Sequence, residues 1–80
     1  MKTDKAICKR ILGLLGALDM TINDLALASS LPDLLIKGIL NGTFRSVGIL
    51  TIKSICDGFG ITLGEFFSTP EFDALEQEIK

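Results

Sequence analysis

The sequence predicts an all-α fold of five or six short helices in one small domain, residues 1–80. Three observations carry that prediction. Apolar residues recur at helical spacing, and no stretch keeps the two-residue alternation of a half-buried strand. Residues that start and stop helices punctuate the chain at short intervals. Eighty residues, 48% of them hydrophobic, can build one modest core.

The first helix is expected over about residues 4–18. Ile7, Ile11, Leu14 and Leu18 repeat at i, i+4, i+7 and i+11, which is one helical face. Asp4 near its start suits the positive helix end. Cys8, Leu12 and Leu15 widen the apolar arc to roughly 160°, more than the ~100° a core-facing stripe needs. A cover for this excess is expected from Phe72, Leu75 and Ile79, within the chain or across a homodimer.

Thr21 then reads as an N-cap, with Asp24 as a capping-box partner three residues on. Leu25 and Ala28 are expected to face inward on this second helix, which ends near Ser29. Pro32 sits at the first position of a third helix, where its missing N–H is harmless. That helix, residues 32–40, stops at Asn41-Gly42, a strong turn signal. Thr43 to Val47 reads as a loop. The fourth helix covers about residues 49–59, with Ile52, Ile55, Cys56 and Phe59 on one face and Gly60 just past its end. Thr62-Leu63-Gly64-Glu65 is a full capping box and opens a fifth helix through Phe67. Thr69-Pro70 starts a sixth, acidic helix over residues 69–80.

Composition narrows the chemistry. The chain has no His, so the commonest general base and metal ligand is missing. Its two cysteines are too few for a four-thiolate zinc site or a disulfide scaffold. Cys8 and Cys56 sit in apolar patterns and read as reduced core thiols of a cytoplasmic protein. No nucleophile–base constellation, phosphate loop or metal-ligand spacing is present. Neither enzymatic activity nor a cofactor, metal or small-molecule site is expected. The apolar run from Ile11 to Leu18 is too short to cross a bilayer, and no small-residue cleavage site follows it.

Net charge is −2 but uneven. Residues 1–60 carry seven basic and five acidic side chains, and residues 61–80 carry one basic and five acidic. A weakly basic body with an acidic tail follows from that division.

Two short helices joined by a tight turn, residues 21–41, suggest a helix-turn-helix. The spacing fits. Ala26 supplies a small residue where the second helix crosses the first, and the turn comes four residues later at Ser30. Ile36 and Ile39 supply the branched residues that the second helix presses into the core. Around that helix Leu35, Ile36, Ile39 and Leu40 span one side. Asp33, Leu34, Lys37 and Gly38 occupy the other and are expected to face outward.

At these residues the chain resembles the Cro/phage-repressor (XRE) helix-turn-helix family. The stretches that carry the resemblance are Met20-Thr21-Ile22-Asn23-Asp24-Leu25-Ala26, Leu31-Pro32, Ile36 and Ile39-Leu40-Asn41-Gly42. A last one runs from Thr51 through Gly60-Ile61-Thr62-Leu63-Gly64-Glu65-Phe66-Phe67. The resemblance covers roughly residues 7–67 and implies a five-helix bundle that docks its third helix in the DNA major groove. It implies a transcriptional regulator that binds double-stranded DNA as a dimer on two half-sites.

By position, the family's base-reading sites fall on Asp33, Leu34, Lys37 and Gly38. Its phosphate-contacting sites fall on Thr21, Ile22, Asn41, Thr43 and Arg45. Lys37 has the chemistry to donate to guanine, Asp33 to accept from a cytosine amino group, and Leu34 to touch a thymine methyl. The chain also departs from the family. Ser30 stands where the turn favours Gly, and Leu34 and Leu35 stand where polar residues are common. Gly38 is mid-helix, Asp33 adds negative charge where phosphates approach, and Leu12 and Leu15 replace basic residues on the first helix. These departures leave an alternative reading: a helix-turn-helix module for protein–protein interaction that modulates another regulator through Leu34 and the first helix.

Overall fold

The computed structural model describes residues 3–43 and 47–75. Six α-helices follow one another, and there is no strand among the described residues: α1 (Thr3–Ala17), α2 (Ile22–Ser29), α3 (Asp33–Leu40), α4 (Ile49–Phe59), α5 (Leu63–Phe67) and α6 (Pro70–Asp73).

Local chemistry places most boundaries. Thr21 caps α2: its hydroxyl accepts from the Asp24 amide at 3.0 Å, and the Asp24 carboxylate accepts from the Thr21 amide at 2.9 Å. Thr62 and Glu65 make the same reciprocal pair at the head of α5. Two orphan amides are satisfied at each helix start. Pro32, expected as the first helical residue of α3, is instead its N-cap, with ψ 140° and no side-chain cap bond. An extended Pro meets the steric demands of the chain equally well there.

Three helices end alike. A left-handed residue is followed by an apolar one whose amide reaches back five residues. Met20 donates to the Leu15 carbonyl at 2.9 Å, Leu31 to Ala26 at 3.1 Å and Ile61 to Cys56 at 3.0 Å. The left-handed residues are Asp19 (φ 54°), Ser30 (φ 58°) and Gly60 (φ 75°). Each is a Schellman ending, and Met20, Leu31 and Ile61 pack against the core beside it.

The core gathers Ile7, Ile11, Leu14 and Leu15 from α1 and Leu25 and Ala26 from α2. Ile36 and Ile39 come from α3, Ile52, Ile55, Cys56 and Phe59 from α4, and Phe66 from α5. Helix α2 lies mainly against α4. The approach is close at Gly58, where an added Cβ would meet the Ser29 Cβ at 3.0 Å and the Ser29 backbone nitrogen at 3.1 Å. That contact reorients α2 from its expected stripe. Leu25, Ala26 and Ser29 are buried, whereas Ala28, expected inward, is exposed. Ala28 lies about a third of a turn from the centre of that buried arc.

Two expectations for α1 change for related reasons. Helical spacing puts Leu18 on the core face, but the helix ends at Ala17, the backbone turns left-handed at Asp19, and Leu18 stays exposed. Leu15 was counted among the surplus apolar residues, yet it is buried, because α1 packs against both α3 and α6 and so needs a wider arc than one stripe. Leu12 remains exposed. The cover from the last helix is partial. Phe72 joins Phe66 and Phe67 in an aromatic cluster with centroids 4.9–6.0 Å apart, and Lys9 pairs with Glu71 at 3.8 Å. Helix α6 is four residues long rather than continuous over 69–80, and Ile79 lies outside the described residues.

Arg10 ties the two ends of the fold together. Its Nε donates to the Phe66 carbonyl at 2.8 Å and a terminal nitrogen to the Glu65 carbonyl at 2.9 Å. The guanidinium carbon lies 5.9 Å from the Phe66 ring centre. These carbonyls belong to the last turn of α5, where a cation is favoured by the helix dipole.

Candidate nucleic-acid interface

The site begins with how α2 holds α3. The turn between them is Ser30-Leu31-Pro32. Ser30 takes the left-handed conformation, Leu31 tucks toward the core, and Pro32 extends the chain into α3. Ile36 and Ile39 are sealed beneath α3. From α1, the Cys8 thiol donates to the Ile39 carbonyl at 2.8 Å and fixes the far end of α3. Burial raises the pKa of this thiol, and Asp4 adds to the shift; burial likewise raises that of Cys56. Both stay protonated thiols at neutral pH, as the sequence suggests.

With one side of α3 fixed, the other faces solvent. Leu34 is 74% exposed. The side chains of Lys37 and Asp33 are 54% and 48% exposed, and they form an ion pair at 3.5 Å across one turn. Helix α3 has eight residues, hence a length of about 12 Å. Across its side chains a helix measures about 10–12 Å, which suits a major groove about 12 Å wide.

Gly38 departs from the outward expectation: it is buried. With no side chain it presents only backbone, and that backbone sits below the surface set by its neighbours. It offers no side-chain contact to a groove.

The flanking positions are spread around α3. Thr21 is exposed but already engaged in its capping box, and Ile22 is half-buried. Asn41 closes α3, its amide donating to the Lys37 carbonyl at 2.9 Å. The Asn41 carboxamide oxygen accepts from the Thr43 amide at 2.9 Å and the Thr43 hydroxyl at 2.6 Å. Asn41 and Thr43 are therefore one small structured turn at the foot of α3, both exposed. Arg45 lies outside the described residues.

Three exposed apolar side chains were not anticipated: Leu27 on α2, and Ile49 and Leu50 at the head of α4. The sequence did hold a signal for Leu27. In Leu25-Ala26-Leu27 the two leucines are two residues apart and cannot share a helix face.

The helical pair, its left-handed turn and the open face of α3 coincide with a match over residues 10–71 to the family of Cro/C1-type HTH DNA-binding domains. The chain belongs to that family. Its fold is that of a Cro/C1-type domain, and the membership supports a DNA-binding regulator in general terms. Among solved structures, the chain is similar to prophage Lp1 protein 11. The TM-score is 0.79 at 25% identity, over 94% of this chain and 100% of that one. No curated protein matches. Among the described residues no single helix is long and apolar enough to cross a membrane; α1 and α2, long and apolar enough only together, are bent by 101° at their junction.

Proposed function

We propose that this Cro/C1-type protein is a cytoplasmic, homodimeric transcriptional regulator that lays α3 in the DNA major groove and reads sequence with it. One observation supports this reading most: α3 is anchored on its Ile36–Ile39 side and open on the side of Asp33, Leu34 and Lys37. Groove recognition needs a rigid helix with one solvent-facing row of side chains. Thr21 and Ile22 at the head of α2, and Asn41, Thr43 and Arg45 beyond α3, are the proposed phosphate-side contacts. The whole chain acts as one domain, with residues 21–41 as its reading unit.

Titration of a fluorescent mixed-sequence duplex at low and moderate salt tests this. The expected result is binding that weakens steeply as salt rises. Arg45→Ala should weaken binding to all sequences and flatten the log–log salt slope by about 0.9. Lys37→Ala should also weaken binding and, as the loss of a base contact, relax sequence preference. Exposure of Leu34 favours one competing reading, a docking surface for a protein partner. Under that reading the duplex titration shows no salt-dependent binding.

A further inference from the structure

The open face of α3 carries a donor and an acceptor already joined to each other. Lys37 is the only cation on α2 or α3, and its ammonium lies 3.5 Å from the Asp33 carboxylate. Neither group is buried, so the pair is held by charge and by its one-turn spacing rather than by packing. A phosphate approaching Lys37 competes with Asp33 for the ammonium and brings a like charge close to the carboxylate. A G·C base pair imposes no such conflict. Guanine offers acceptors at O6 and N7 to Lys37, while cytosine offers its N4 amino group to Asp33. Both partners of the pair are then re-satisfied.

Resting on the DNA-binding reading above, we infer that the Asp33–Lys37 pair is a specificity gate. It penalises backbone-only binding and selects half-sites that contain a G·C pair under α3. Asp33 is thus a discriminating residue rather than a contact that adds affinity. Its negative charge at the mouth of the groove, which weakens binding to arbitrary DNA, is what sharpens the choice of operator.

The experiment selects binding sites from a randomised duplex pool with the wild type, Asp33→Asn and Asp73→Asn. It then measures affinity of each for mixed-sequence duplex across salt concentrations. Asp73 is exposed on α6, so its variant changes net charge equally but away from α3. Circular dichroism of each variant checks the fold. The wild type should select sites with a recurring G·C pair in each half. Asp33→Asn should lose that preference, bind mixed-sequence duplex about fivefold or more tightly, and show a salt slope steeper by about 0.9, one more phosphate contact. Asp73→Asn should keep the wild-type preference. If Asp33→Asn selects the same sites with the same slope, the gate is overturned while DNA binding stands. An equal effect of Asp73→Asn also overturns it, since the effect is then one of net charge. If the wild type binds no duplex at low salt, the DNA-binding reading fails first and takes the gate with it.

Discussion

The connection from α2 to α3 and the connection from α4 to α5 follow the same three-residue plan. Each has a left-handed residue, then an apolar residue whose amide reaches back to the preceding helix, then an N-cap: Ser30-Leu31-Pro32 in one, Gly60-Ile61-Thr62 in the other. The residues suit the plan unequally. Gly60 adopts φ 75° without a steric penalty, and Thr62 shares a capping box with Glu65. Ser30 takes φ 58° with a side chain, and Pro32 makes no capping bond. The second connection also has the stronger external tie: Arg10 donates twice at the far end of α5, against a single thiol bond from Cys8 at the far end of α3. The connection that positions α3 is locally the poorer one, held by Ile36 and Ile39 in the core and Leu31 against it. The same departure occurs at Asp19 (φ 54°) between α1 and α2, so a side chain in the left-handed region is not confined to the turn before α3.

Breaking the external tie should have the largest effect. Arg10→Ala removes two charge-assisted hydrogen bonds to the Phe66 and Glu65 carbonyls and should lower stability by about 2 kcal/mol in urea unfolding. Arg10→Lys should recover less than half of that, because an ammonium cannot reproduce the fork.

Exchanging the left-handed residues sharpens the comparison. Ser30→Gly should raise stability by about 1 kcal/mol, and Gly60→Ser should lower it by a similar amount. For a domain of this size each corresponds to roughly 4–8 °C in Tm. Two neutral substitutions would mean that the core, rather than local preference, sets both turns.

The smallest effects are expected at the caps. Thr62→Val loses the hydroxyl bond to the Glu65 amide and should cost about 1 kcal/mol. Pro32→Ala has no such bond to lose and should cost only a few tenths, through the greater freedom of the unfolded chain. Thermal unfolding of the two variants side by side separates them.

Much of this was legible in the sequence. Helix starts and stops are local chemistry, so Thr21 with Asp24, Thr62 with Glu65, Asn41-Gly42 and Gly60 placed the ends of α2 to α5 within a residue. The solvent-facing row of Asp33, Leu34 and Lys37 was legible for the same reason, because helical spacing alone puts it opposite Ile36 and Ile39. What was not legible depends on partners distant in the chain. The burial of Leu15 and the exposure of Ala28 follow from which helices α1 and α2 meet. The two carbonyls that hold Arg10 lie 55 and 56 residues away. Gly38 was misplaced because a helical wheel assigns direction to a side chain that glycine does not have. The ion pair between Asp33 and Lys37 has its signal in their i, i+4 spacing, but that spacing does not tell a pair from two separate base contacts.

Amide chemical shifts of the labelled protein, followed as a short mixed-sequence duplex is added at low salt, test the account most directly. The largest changes should fall on Asp33, Leu34 and Lys37, with smaller ones at Thr21, Ile22, Asn41 and Thr43. Changes confined to α1 and α6, or none at all while the protein stays folded, would contradict the assignment of α3 as the DNA-reading helix.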